Sequence, residues 1–488
     1  MAAGTIPWFG HTVTEDTLTV FWEPPTDADP PTEYAVTLDG ERLAVVEHTH
    51  CMFDDLTPDS AHHVRVDATD PNGRVIAGFD LDVRTWPRRT IIDVTRPPYN
   101  AAGDGVTMDT RAIQRAIDDC GPDQAVLLPA GTFLTGALFL HGDMELRVAP
   151  GATLQGSADP DDYLPMIPSR FEGIEQQCHA SLINIGTLDH TAGPTCRNVT
   201  LRGGGTILGG GVALAKAQTR GVRDRLIAES GITNIDSIDD TVFRALTQRA
   251  SRTRGRLVNI SNGANVLIED LTLGYAAAWN IHFIYSEHVV THHCRIKSMG
   301  VWNGDGWDPD SSEHCTIFDC DFVTEDDMVA IKSGKNPEGN VINRPTRDIH
   351  VFDLRADGGH GIAIGSEMSG GVEHVRIWDC DMGKSNQGLE IKASAKRGGY
   401  VRDVTLSDCI ASRVLVHAYE YHNNDGEAAP TLPYYENIHF RRIRLLGRHY
   451  VWDHWEPCPP IEINGFDDEG HTLRDITFDQ VSVDGTLR

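Results

Sequence analysis

The sequence predicts an all-β chain, a right-handed, single-stranded parallel β-helix preceded by a small β-sandwich. Three observations carry that prediction. From residue 198 onward, windows aligned on a polar anchor repeat with apolar residues at offsets one, three and six. The 47 glycines and 25 prolines are enough to divide 488 residues into many short strands. Residues from about 11 to 86 alternate apolar and polar side chains between Pro- and Asp-rich turns. A chain this long exceeds one compact core, so two or more units are expected, one of them an elongated repeat. The 40% hydrophobic content is too high for a disordered chain.

The first unit is expected over residues 1–87. Runs such as residues 17–22 (TLTVFW) and 63–67 (HVRVD) have the period-two pattern of half-buried strands. The arrangement resembles a fibronectin type III module, with Trp22 as the core tryptophan and Leu56-Thr-Pro58, Val64 and Val66 before the penultimate strand. His62 stands where that family usually has its corner tyrosine. Such a module serves either as a spacer or as a carbohydrate contact.

Residues 88–488 form the second expected unit. Ala112, Ile113, Ala116, Ile117 and Cys120 fall at helical spacing after Asp109, a good N-cap residue, and this helix covers the open end that any solenoid must close. The repeat anchors are Asn198, Asn265, His288, His314, Asp348, His374, Asp403, Asn437 and Asp475. Only Gly204 and Thr291 break the apolar rows that follow them. Odd offsets exclude helical repeats, and anchor spacings of 23 and 26 residues fit one solenoid coil. Handedness follows from the crossover rule. Residues 208–256 depart from the repeat, carry a helix-like patch at 240–249, and are expected to be an insertion that closes one end of a cleft.

A formal charge of −29 argues against sequence-independent binding to nucleic acid or anionic membrane. If the substrate is itself anionic, basic residues must be concentrated in its site. Several of the ten cysteines share one repeat position, as small buried residues would, so no disulfide framework is expected. The first ten residues lack a charged segment followed by an apolar one, and the chain is read as cytoplasmic.

The chemistry-bearing segments are Asn303-Gly-Asp305-Gly-Trp-Asp308, Glu325-Asp326-Asp327, Gly359-His360-Gly361 and Leu389-Glu390-Ile-Lys392, each about one coil beyond the last. Adjacent carboxylates repel, and a solenoid gains nothing by stacking them. Glycoside hydrolysis needs such a group, one carboxyl to protonate the leaving oxygen and another to activate water. These four segments in this order resemble the signatures of the polygalacturonase family, bacterial exo-acting type. Ala137-Leu-Phe-Leu140, Gly151-Ala-Thr-Leu-Gln-Gly-Ser157, Ala278-Trp-Asn-Ile-His282 and Ile364-Gly-Ser-Glu-Met-Ser-Gly370 extend the likeness over roughly residues 90–485.

The resemblance implies an inverting hydrolase of galacturonic-acid-containing pectic oligosaccharides, with Asp326 as general acid and Asp305 and Asp327 positioning and deprotonating water. It also implies that His360 tunes the acid and Lys392 holds a substrate carboxylate. Lys332, Glu390, Arg397, His282, Asp308 and Tyr400 are the further expected substrate contacts. Glu390 departs from the pattern, because the family usually has arginine there; Arg397 is the expected compensation. Glutamate repels a carboxylate that arginine would grip, which keeps open another pectic linkage, such as rhamnogalacturonan or a uronic-acid side chain. A non-catalytic carbohydrate-binding β-helix is the alternative of another class. No cofactor is expected, and the His292-His293-Cys294 and Asp305–Asp310 segments lack the convergence or loop spacing of zinc and calcium sites.

Overall fold

The computed structural model describes residues 4–25, 33–231, 238–419, 425–451, 453–466 and 472–484. The chain divides into two compact units, Met1–Ile91 with Asp123–Ala125 and Ile92–Pro122 with Val126–Arg488. In the first, a five-stranded sheet and a three-stranded sheet share one core. Trp22 on Leu18–Trp22 is fully buried and meets Tyr34 edge-on at 5.1 Å. His62 bridges Asp39 and Ser60 through its two ring nitrogens, at 2.8 and 2.7 Å.

The second unit is a parallel β-helix. Its strands join into a 20-stranded and a 10-stranded sheet. The apolar rows expected from the repeat are hydrogen-bonded neighbours: Val199 pairs with Val266, Val266 with Val289, Cys315 with Ile349, Ile349 with Val375, Val375 with Val404 and Val404 with Ile438. The offset-six row stacks Leu271, Cys294, Cys320 and Leu354 in one buried column, so these cysteines are core residues with free thiols. The buried side chains form one continuous cluster from Val94 to Leu445.

The anchors have a backbone explanation. All nine, from Asn198 to Asp475, have φ between 50° and 59°, the left-handed region that Asn, Asp and His tolerate better than other side chains. Outside the barrel they also touch from coil to coil. Asn265 donates to Asn198 at 2.9 Å, Asp348 receives His314 and His374 at 3.3 Å each, and His374 meets Asp403 at 3.1 Å.

Both exceptions to the rows are accounted for. Gly204 has φ +80° and lies where a Cβ would sit 3.1 Å from Pro150 Cγ. Thr291 is fully buried, and its hydroxyl accepts the indole N–H of Trp307 at 3.1 Å. Replacing Thr291 by Val keeps the shape but strands that N–H, and should lower unfolding stability by about 1–3 kcal/mol in a urea melt.

Helix α1 spans Thr110–Asp118 and buries Ile113, Ala116 and Ile117 against the barrel. Asp109 sits at its N-cap but does not cap it, because its carboxylate accepts the backbone N–H groups of Ala102 and Gly103 at 2.7 and 2.9 Å. The described residues of the expected insertion include two helices, α2 over Gly211–Glu229 and α3 over Asp240–Ser251. Only α3 was legible in the sequence, since α2 begins in a glycine run and carries Gly221 in its middle. Among the described residues no helix is long and apolar enough to cross a membrane.

Candidate active site

Successive strands of the 10-stranded sheet, Trp307–Asp310, Asp327–Ile331, Gly361–Ile364 and Gly388–Ala393, carry or follow the four segments. Parallel register turns an interval of one coil in sequence into one strand spacing, about 4.8 Å. Asp327 pairs with Gly361, Gly361 with Gly388, and Ala363 with Glu390. Asp305, Asp326, Asp327, Lys332, His360 and Lys392 consequently line one cavity of about 600 Å³.

Its walls come from outside the repeat. Gln248 is supplied by α3, and Glu172 stands at the turn between the antiparallel strands Ile167–Phe171 and Ile174–Cys178. Tyr450 and Val451 come from the Arg448–Val451 hairpin strand, and Trp302 from the loop before Asp305. Trp302 remains 60% exposed at the rim, a flat apolar face of the kind that stacks on sugar rings. Sequence reasoning missed these wall residues because each sits on an insertion without repeat spacing or motif.

The carboxyls do not behave alike. Burial raises the Asp305 carboxyl well above the ordinary range, and neighbouring Asp308 pushes it the same way against the pull of Lys332, whose Nζ lies 3.2 Å away. Burial also acts on Asp327, but Lys392 at 3.6 Å and His360 at 3.4 Å outweigh it and hold this carboxyl below its usual value. His360 in turn is raised despite burial, because Asp326 at 2.9 Å and Asp327 favour its cation. Within one cavity, then, Asp327 is held toward its anionic form and His360 toward its cation, while burial works against the charge on Asp305. Asp326 meets His360 Nδ1 and the Asp327 backbone N–H through the same Oδ1, which leaves Oδ2 for a ligand.

Other expected contacts lie elsewhere. Arg397 is fully buried and spends its guanidinium on Ser366 O at 3.0 Å, Asn336 Oδ1 at 2.6 Å and Glu367 at 3.7 Å, so it neither reaches the cavity nor compensates for Glu390. Tyr400 belongs to the outer sheet, where its hydroxyl donates to Glu373 at 3.2 Å. His282 is fully buried and sits edge-on to Trp279 at 4.7 Å; Trp279 lines the cavity, and Lys332 Nζ lies 5.1 Å from its ring centre. Asp308 is also fully buried, beneath the cavity, and burial raises its carboxyl well above the usual range. Glu390 lies behind Lys392, 2% exposed, bonded to Lys392 Nζ and to His417 Nε2 at 2.8 Å each.

The expected concentration of basic residues is absent among the described residues. Seven carboxyls line the cavity (Glu172, Asp305, Glu325, Asp326, Asp327, Asp357 and Glu367) against three lysines and His360. Each lysine already faces a carboxylate: Lys332 has Asp305, Lys384 has Asp357, and Lys392 has Glu390 and Asp327. Asp326, Asp327 and His360 bring ligand atoms within 4.8 Å of one another, enough for a cation by count. The two aspartates favour the His360 cation, the form in which both ring nitrogens are donors, and that preference opposes metal binding.

A model of glycosyl hydrolases family 28 matches residues 182–444, more than half of the chain. The chain belongs to glycosyl hydrolases family 28. Among its relatives is the exo-poly-alpha-D-galacturonosidase of Dickeya chrysanthemi, 28% identical over 400 residues; the match covers 77% of this chain but only 64% of that protein's length. The family 28 exopolygalacturonase of Yersinia enterocolitica shares the fold, with a TM-score of 0.80 at 23% identity over 99% of this chain and 92% of the other. The hyperthermoactive exopolygalacturonase of Thermotoga maritima aligns with a TM-score of 0.62 at 26% identity, covering 81% of this chain and 92% of its own.

Proposed function

We propose that this family 28 hydrolase removes galacturonic acid from the non-reducing ends of pectic oligosaccharides with inversion. The convergence of Asp305, Asp326, Asp327 and His360 on one cavity carries the reading. Asp326 donates a proton to the glycosidic oxygen as the bond to the anomeric carbon breaks. A water, positioned by Asp305 and Asp327, attacks that carbon from the opposite face, and ionised Asp327 takes its proton. His360 sits against both carboxylates and returns the Asp326 proton between turnovers. Lys392 and Lys332 are donors to sugar oxygens within the same cavity.

Exo action is supported by walls on several sides, from α3, the Glu172 turn and the Tyr450 hairpin, and by the exo-acting relatives. Incubation with trigalacturonate should release monomer as the first product, in the β-anomeric form by proton NMR. Intermediate-sized fragments from long pectate, or an α-anomer, would overturn the exo or the inverting part. The carboxyl-rich lining favours a second reading, cleavage of another pectic linkage; turnover of a rhamnogalacturonan fragment with none of galacturonate oligomers would select it.

A further inference from the structure

We infer that the galacturonic acid ring facing Lys392 carries an uncharged C6 group, its methyl ester, and that Glu390 is the positioning residue that sets this preference. The inference rests on the hydrolytic reading above and narrows its substrate class. Two observations lead to it. Lys392, the cation that should receive a galacturonate carboxylate, has Glu390 Oε2 at 2.8 Å and Asp327 Oδ2 at 3.6 Å. Among the described residues, the cavity around it has seven carboxyls for three lysines and one histidine, and each of those cations faces a carboxyl.

Lys392 Nζ has three N–H donors. One is directed to Glu390 at 2.8 Å, Asp327 Oδ2 stands beyond hydrogen-bond range at 3.6 Å, and a sugar oxygen can take another. A neutral ester carbonyl or hydroxyl takes that donor without further cost. A carboxylate arrives next to two anions that already face the same cation, and like-charge juxtaposition is unfavourable. Glu390 cannot be displaced by rotation into solvent, since it is buried and its other oxygen is bonded to His417. Arginine at this position would add a positive group to the site; glutamate subtracts one.

The test compares kcat/KM for trigalacturonate and its fully C6-methyl-esterified counterpart. The wild-type chain should prefer the ester by at least about 10-fold, and Glu390→Gln should bring the two substrates to within about 3-fold by raising turnover of the free acid. Salt raised from about 0.02 to about 0.5 M should increase kcat/KM for the free acid more in the wild type than in Glu390→Gln, and leave the ester unchanged in both. A preference for the free acid, or free-acid turnover that falls with salt, overturns the inference while the hydrolytic reading stands. Absence of turnover on both trimers and on a pectic fragment panel overturns that reading itself.

Discussion

Asp326→Asn is expected to lower kcat about 10²–10⁴-fold, the usual worth of a positioned proton donor. Asparagine keeps the shape and the hydrogen bond to the Asp327 backbone, but it cannot give a proton to the leaving oxygen. Because the Asp326–His360 pair is partly exposed, its loss should move stability by no more than about 1 kcal/mol. The decisive comparison uses substrates with different leaving groups. An aryl glycoside whose phenolate leaves without protonation should lose far less than a sugar leaving group; equal losses on both would remove Asp326 from the role of acid.

The largest stability effect is expected at Arg170→Met. Arg170 and Asp310 are both fully buried and meet at 2.8 Å, with Ser311 Oγ at 2.9 Å from the same guanidinium nitrogen. Burial alone would raise the Asp310 carboxyl, yet Arg170 and His282 bring it down to about 2. Removing the arginine leaves a carboxylate with no solvent, the Gly334 backbone N–H at 3.0 Å, the pull of Lys332, and His282, whose own imidazole burial lowers to about 3. The expected cost is about 3–5 kcal/mol, read as a lower urea midpoint. Arg170→Met combined with Asp310→Leu should recover most of it, because an apolar pair replaces a desolvated ionic one. A double variant no more stable than the single one would show that the arginine contributes through packing.

The legible and illegible parts of this protein divide along one line. The anchor rows were readable because every coil must solve the same two problems, a left-handed turn that Asn, Asp and His tolerate and an inward apolar row. Val199, Val266 and Val289 thus recur at a fixed offset from their anchors and end as neighbours. The carboxyl cluster was readable because carboxylates one coil apart in sequence are one strand apart in space. Helix α2, the Glu172 turn and the Tyr450 hairpin were not readable, since an insertion answers only to the surface it covers. His282 and Tyr400 were misplaced for a related reason. A motif residue that supports a contacting side chain from behind, as His282 does for Trp279, has the same spacing as one that touches ligand.

The sequence by itself determined the parallel β-helix, its buried cysteine column and the convergence of Asp305, Asp326, Asp327 and His360, because repetition converts linear spacing directly into stacking. Only the tertiary structure decided the charge balance of the cavity. Whether Lys392, Lys332 or Arg397 is available to an anion depends on which carboxylate stands within about 4 Å of it, and Coulomb interactions at that range are set by side-chain placement across strands and insertions that no spacing rule relates.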